Sequence, residues 1–158
     1  MSYILFKAKR INSEEYDGTW IEGIPIRNHI GLFMCFDENP HYCSQYGYME
    51  IDNVARVDES TLCRHTGLTD KNGRKIFEGD IVAYMDTYST DNGYAECDCI
   101  GEVLWCEEEL CFCVTERLSA ESWEVLGDCC VIGNIFDNPQ LLCEAGQQAN
   151  ADVLLPAT

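Results

Sequence analysis

Strand-like alternation sets in at the first residues of the chain. In YILFKAKRI, Tyr3, Leu5 and Lys7 alternate with Ile4, Phe6 and Ala8 among strand-forming side chains, which predicts a first strand ending near Ile11. Polar residues 12–18 interrupt the pattern. TWIEGIPI resumes it with Trp20, Ile21, Ile24 and Ile26, predicting a hairpin whose Pro25 belongs at a sheet edge, because proline cannot donate to a ladder. GLFMCF reads as a further strand and DENPHYCSQYG as a loop.

Beyond Asn53 the punctuation becomes denser. Val54, Ala55 and Val57 form a short strand, Asp58-Glu59-Ser60 a turn, and a second strand runs through Leu62. Residues 67–82, GLTDKNGRKIFEGDIV, concentrate turn chemistry: Asn72-Gly73 between extended segments is a hairpin signal, and Glu78-Gly79-Asp80 is a second tight turn before the strand Ile81 to Tyr84. Residues 86–98, DTYSTDNGYAECD, read as a surface loop or long hairpin tip. IGEVLW and LCFCVTE follow as strands joined by Glu107-Glu108-Glu109, then a brief helix or loop over 118–126 and a last strand, CCVIGNIF. Asp137-Asn138-Pro139 predicts a helical turn with Asn138 or Asp137 as its cap. The fold class expected is mainly β: a small barrel or packed-sheet domain of short antiparallel strands with a few helical turns. The predicted organisation is an N-terminal β segment over 1–52 packing on a β core over 53–143, with a tail over 144–158.

Charge changes this picture, because the 158 residues carry a net charge of -18 with a globular apolar content of 46%. Residues 1–79 hold 12 acids against nine bases, whereas residues 80–158 hold 16 acids against the single base Arg117. Nucleic-acid binders gain affinity by setting Lys and Arg against phosphates, so the C-terminal half disfavours direct DNA or RNA binding. Its acidity serves solubility, or else a cationic partner. MSYILFKAKR lacks the long apolar run of a secretory signal, and no stretch reads as a membrane-spanning helix, so a cytoplasmic protein is expected.

Eleven cysteines, an odd number with no export signal, read as reduced thiols. The C-x-C pairs Cys97/Cys99 and Cys111/Cys113 each place two thiols on one strand face, and facing pairs could offer four thiolates to zinc. The C-x-x-C knuckle spacing is absent, and buried cysteine also packs as a small hydrophobe. Core packing is the reading preferred here, with no metal or other cofactor expected.

Three segments in order, LCRHTGLTDKNGRKIFEGDIV, GEVLW and VIGNIFDNPQLL, resemble the YopX family of small bacteriophage and prophage proteins, and ILFKAKRINSEEYDGTWIEG is similar to the family's N-terminal strand pair. The resemblance covers about residues 3–36 and 54–142, and the chain departs from it in NPHYCSQYGY, in its cysteine-rich strands and in its acidic C-terminal half. It implies a mainly β fold, a viral origin, the cytoplasm of an infected bacterial host, and assembly into a homo-oligomer. It implies no catalytic residues.

The residues agree on that last point. His29, His41 and His65 are scattered, Gly73-Arg74-Lys75 lacks the glycine spacing of a phosphate loop, and residues 91–102 do not follow the calcium-loop pattern. A non-enzymatic accessory protein for host takeover or counter-defence is therefore expected, binding and sequestering a host factor. Two surfaces compete for that role. Arg64, Lys71, Arg74 and Lys75, with Phe77 or Trp105 to stack on a base, could grip a small anionic nucleotide. Asp98, Glu102, Glu107, Glu108 and Glu109 could instead stand in for phosphates and block a basic, DNA-handling host protein. A structural or assembly role in the virion is a third class, without a coiled-coil or collagen-like repeat to support it.

Overall fold

The computed structural model describes residues 4–36, 41–43, 45–50 and 53–143. The chain divides into two compact units, Met1–His65 and Thr66–Thr158. The tail expected over 144–158 lies outside the described residues.

In the first unit, strands β1 (Phe6–Lys9), β2 (Trp20–Arg27), β3 (Leu32–Cys35), β4 (His41–Cys43), β5 (Tyr48–Glu50) and β6 (Val54–Arg56) precede a 3-10 turn at Glu59–Thr61 and strand β7 (Cys63–Thr69). The antiparallel order is β6-β3-β2-β1-β7, and Cys63 and Arg64 of β7 pair with Lys7 and Phe6. Residues 53–57 join this sheet because β6 pairs with β3, Ala55 opposite Met34. β4 and β5 pair separately, His41 opposite Glu50, so β4 lies inside the stretch 37–47 expected to be a loop and β5 just after it; their ladder follows no apolar alternation.

Pro25 corrects a second expectation, since β2 is an interior strand. β1 pairs only with Trp20–Gly23 and β3 only with Ile24–Arg27, so the offset ladders leave Pro25 one strand partner and ask no N–H of it on the other side. Gly23 marks the changeover; a Cβ there would sit 2.2 Å from the Cys35 carbonyl oxygen. Ala8, Leu32, Met34 and Val57 form the core of this unit, with Phe6, Ile21 and Leu62 packed against it. Lys7 and Lys9, on one face of β1, place their ammonium groups 5.0 and 5.4 Å from the Trp20 ring.

In the second unit the remainder of β7 turns into β8 (Lys75–Phe77), followed by β9 (Asp80–Thr90), β10 (Gly93–Cys106), β11 (Cys111–Val114), helix α1 (Ser122–Asp128) and β12 (Cys130–Asn134). A four-stranded antiparallel sheet runs β11-β10-β9-β12. The chain is thus mostly β, built of antiparallel sheets and short helical pieces. The polar stretch 86–98 is largely strand: β9 and β10 stay paired from Glu102–Ile81 out to Gly93–Thr90, leaving only a two-residue tip. β-formers such as Thr87, Tyr88, Thr90 and Tyr94 sustain the ladder although most of this arm is exposed.

Ile76, Val82, Tyr84, Val103, Val114, Val125, Leu126 and Val131 pack as the core between this sheet and α1. Gly101 is required where β10 passes the chain leaving β11, for a Cβ there would meet the Thr115 carbonyl oxygen at 2.3 Å. Residues 140–143 are helical, as expected, but the Asn138 Oδ1 and Asp137 Oδ2 atoms accept from the Asn134 N–H and amide respectively, tying the turn back to β12. Among the described residues no helix is long and apolar enough to cross a membrane.

Candidate functional site

The turn-rich segment 67–82 is held together from within. Asp70, 5% exposed, accepts from the Asn72 and Arg74 N–H groups through Oδ1 (2.9 and 2.8 Å) and from the Val131 N–H through Oδ2 (2.9 Å). One carboxylate thereby closes the β7–β8 turn and pins it to β12. Burial opposes its ionisation, yet the three N–H donors outweigh burial and hold the carboxyl below its ordinary range. Gly73 takes φ +80° within this turn, and Gly79 takes φ +81° in the next, where Asp80, 1% exposed, accepts the Phe77 N–H at 2.8 Å.

These bonds decide what the neighbouring bases can do. Lys71, Arg74 and Lys75 are exposed on the hairpin, and Arg74 Nη1 reaches the Val131 carbonyl at 3.5 Å. Arg64 belongs to the first unit, where it pairs with Phe6. The two expected stacking residues differ: Phe77 is 2% exposed, and half-buried Trp105 packs edge-to-face on Phe112 at 5.1 Å.

The acidic candidates separate as well. Asp98 lies nine residues from Glu107 along β10, about 30 Å in an extended strand. Glu102 is half-buried, and burial, then the charge of Glu78, raises its carboxyl above the ordinary range. Glu107, Glu108 and Glu109 remain together and exposed on the β10–β11 turn, which Leu110 closes at φ +53°.

Beside that turn lies a recess of about 290 Å³. Its walls are Leu68, Phe112, Trp123 and Leu126, with Thr66, Cys111 and Ser122 between them, and its charged lining residues are Glu109 and Glu121. No base lines it. Trp123 is 71% exposed and Leu110, at the adjoining turn, 75%. Three local devices position the α1 wall. The Ser122 Oγ accepts the Val114 N–H at 3.3 Å; Glu121 N–H donates to Glu124 Oε2 at 2.9 Å in the first turn; and Arg117 donates to the Val114 and Ala120 carbonyls at 3.0 and 3.3 Å.

A fourth device is Asp86, 2% exposed. Its carboxylate accepts from the Thr87, Leu118, Ser119 and Ala120 N–H groups and from the Ser119 hydroxyl, at 2.7 to 3.3 Å. Burial opposes ionisation here too, but these donors bring its carboxyl down to about 2. Arg117, the only base after residue 79, is occupied with the same loop and lies 3.8 Å from Glu121.

The sequence reading missed Glu121, Trp123 and Leu126. A seven-residue helix spans two turns, too few for a periodic apolar stripe, and Trp123 would be assigned to a core on hydropathy alone.

The cysteines with described side chains are free thiols. The two C-x-C pairs do not face each other: Cys97 and Cys99 pair with Asp86 and Tyr84 of β9, whereas Cys111 pairs with Cys106 and Cys113 with Leu104. Within each pair the sulfurs are adjacent, 3.4 Å for Cys97/Cys99 and 3.8 Å for Cys111/Cys113.

The model of the YopX protein family matches residues 10–143. The chain belongs to the YopX family. The crystal structure of protein EF1440 from Enterococcus faecalis superposes on it with a TM-score of 0.59 at 25% identity, covering 90% of this chain and 99% of that one. No curated protein matches the chain. Membership in YopX marks a phage-type protein, and the segment that carried the resemblance is the one whose carboxylates, Asp70 and Asp80, are buried on backbone N–H groups.

Proposed function

We propose that this YopX protein is a non-enzymatic binding protein that sequesters a host protein, docking a basic segment with an aliphatic or aromatic anchor into the recess between the β10–β11 turn and α1. The observation that carries this reading is the pairing of a mostly apolar recess with a lining of two carboxylates and no base. Tryptophan is among the residues enriched in binding hot spots, and rim carboxylates select for a cationic partner and speed its approach. Glu107 and Glu108 extend the negative field along one side, and Glu124 adds to it from α1.

A nucleotide is the poorer fit. The hairpin bases are exposed, but Phe77 beside them is buried and Trp105 is engaged with Phe112, so the hairpin offers less to stack on a base than the recess offers an apolar anchor. Self-association of the chain and a site of action in the host cytoplasm belong to the same proposal.

The test is a titration of the full chain, followed by tryptophan fluorescence and calorimetry, with Lys/Arg-rich peptides carrying one Leu or Met and with a panel of mono-, di- and cyclic nucleotides. Peptide binding should weaken by roughly 30-fold in Trp123→Ala, the fold-change of a loss of about 2 kcal/mol, and should weaken further at high salt. Tight nucleotide binding that survives Trp123→Ala but not Arg74→Glu would overturn the reading, as would peptide binding indifferent to salt and to Glu121→Gln.

A further inference from the structure

The β10–β11 turn brings together three thiols and a carboxylate whose convergence core packing does not account for. Cys106 ends β10, Cys111 and Cys113 share one face of β11, and the register sets Cys106 opposite Cys111, so three thiols converge at the head of one hairpin. Glu109, from the turn itself, points its carboxylate into them: Oε2 accepts from the Cys113 thiol at 3.4 Å and from the Cys111 thiol at 3.8 Å. The sulfurs of Cys106 and Cys113 and a Glu109 oxygen all lie within 4.8 Å of one another. Cys111 is exposed and Cys106 half-buried, so the thiols are not all spent as core hydrophobes.

We propose that Cys106, Glu109, Cys111 and Cys113 form a tetrahedral site for a thiophilic divalent cation of the zinc class. With zinc–sulfur bonds of about 2.3 Å and zinc–oxygen bonds of about 2.0 Å, tetrahedral geometry asks for sulfur pairs about 3.8 Å apart and sulfur–oxygen pairs about 3.5 Å apart. The Cys111–Cys113 separation of 3.8 Å and the Cys113–Glu109 separation of 3.4 Å already meet this. Cys106 lies within 4.8 Å of Cys113 and Glu109, so bringing it to those two ligands takes at most about 1.3 Å of closure, while Cys111 joins through its contacts to Cys113 and Glu109. Thiolates disfavour calcium and magnesium, which take oxygen ligands, and four protein ligands leave no open position, so the role is structural. On binding, the three thiol protons pass to the buffer and the cation takes their place. The bound ion clamps the turn that presents Glu107 and Glu108. The site shares Glu109 and Cys111 with the recess lining, but metal uptake is read without any peptide, so its failure and that of the partner reading are told apart.

The test uses the full chain, reduced, stripped with chelator and titrated anaerobically with cobalt(II), then zinc(II). Uptake of one cobalt per chain is expected, with thiolate-to-cobalt charge-transfer absorption and tetrahedral d–d bands that zinc abolishes. Cys111→Ser, at an exposed position that folding tolerates, should weaken cobalt binding by more than about 100-fold, beyond what outer ligand supports cost. Glu109→Gln should shift the d–d bands, whereas Cys97→Ser/Cys99→Ser should leave affinity and spectrum unchanged. Three results would overturn the assignment: no charge-transfer band on the reduced protein, a band lost only in the Cys97/Cys99 variant, or undiminished affinity in Cys106→Ser/Cys111→Ser.

Discussion

Replacing Asp70 with alanine tests whether the family segment is scaffold. The substitution removes one acceptor from three backbone N–H groups. Those of Asn72 and Arg74 lie in an exposed turn where water can replace the carboxylate, while that of Val131 lies in a buried strand. Each turn bond contributes about 1 kcal/mol and the orphaned Val131 N–H costs about 1–3 kcal/mol, so the loss should be about 3–5 kcal/mol. For a chain of this size that lowers the melting temperature by roughly 6–20 °C. Thermal and urea melts followed through tryptophan fluorescence, with Lys71→Ala and Lys75→Ala as exposed controls, read the effect; the controls should stay within about 0.5 kcal/mol. An Asp70→Ala protein as stable as the parent would refute the structural role given to this turn. It would return the segment to candidacy as a binding site.

Asp86 gives a pH signature. Its folded carboxyl titrates at about 2 against an ordinary 3.8, so its stabilisation is fully present above the ordinary value and is lost as pH falls from about 4 to about 2. Asp86→Asn should flatten the acid limb of a stability-versus-pH curve across that window, and an unchanged limb would discard the loop-anchoring role. Gly101→Ala should destabilise by at least about 1–3 kcal/mol in a urea melt, because its Cβ would overlap the Thr115 carbonyl oxygen. Glu121→Lys should cut the association rate for a basic peptide more than it raises dissociation, measured by stopped flow at two salt concentrations.

How much of this was legible in the sequence differs by element. The turns at Asn72-Gly73 and Glu78-Gly79-Asp80 were, because the residues that permit them are local; what those letters did not reveal is that Asp70 and Asp80 are buried acceptors, a fact set by β12 and by the chain's own return. The strands at 86–90 and 93–98 were obscured by their polarity, since an exposed hairpin arm needs backbone pairing and β-formers but no apolar face. Cysteine spacing suggested a thiol cluster but joined the wrong pairs: only the register reveals that Cys106 opposes Cys111 while Cys97 and Cys99 lie beside β9. The recess was out of reach, as Leu68, Phe112 and Trp123 come from β7, β11 and α1.

The most direct measurement is an NMR titration of the isotope-labelled full chain with a Lys/Arg-rich peptide bearing a single leucine. Saturable shifts are expected at the Trp123 indole and at the Leu68, Phe112, Glu121 and Leu126 amides, diminishing as salt rises. Shifts confined to Lys71, Arg74 and Lys75, or shifts there with a nucleotide and none in the recess with the peptide, would contradict docking in the recess.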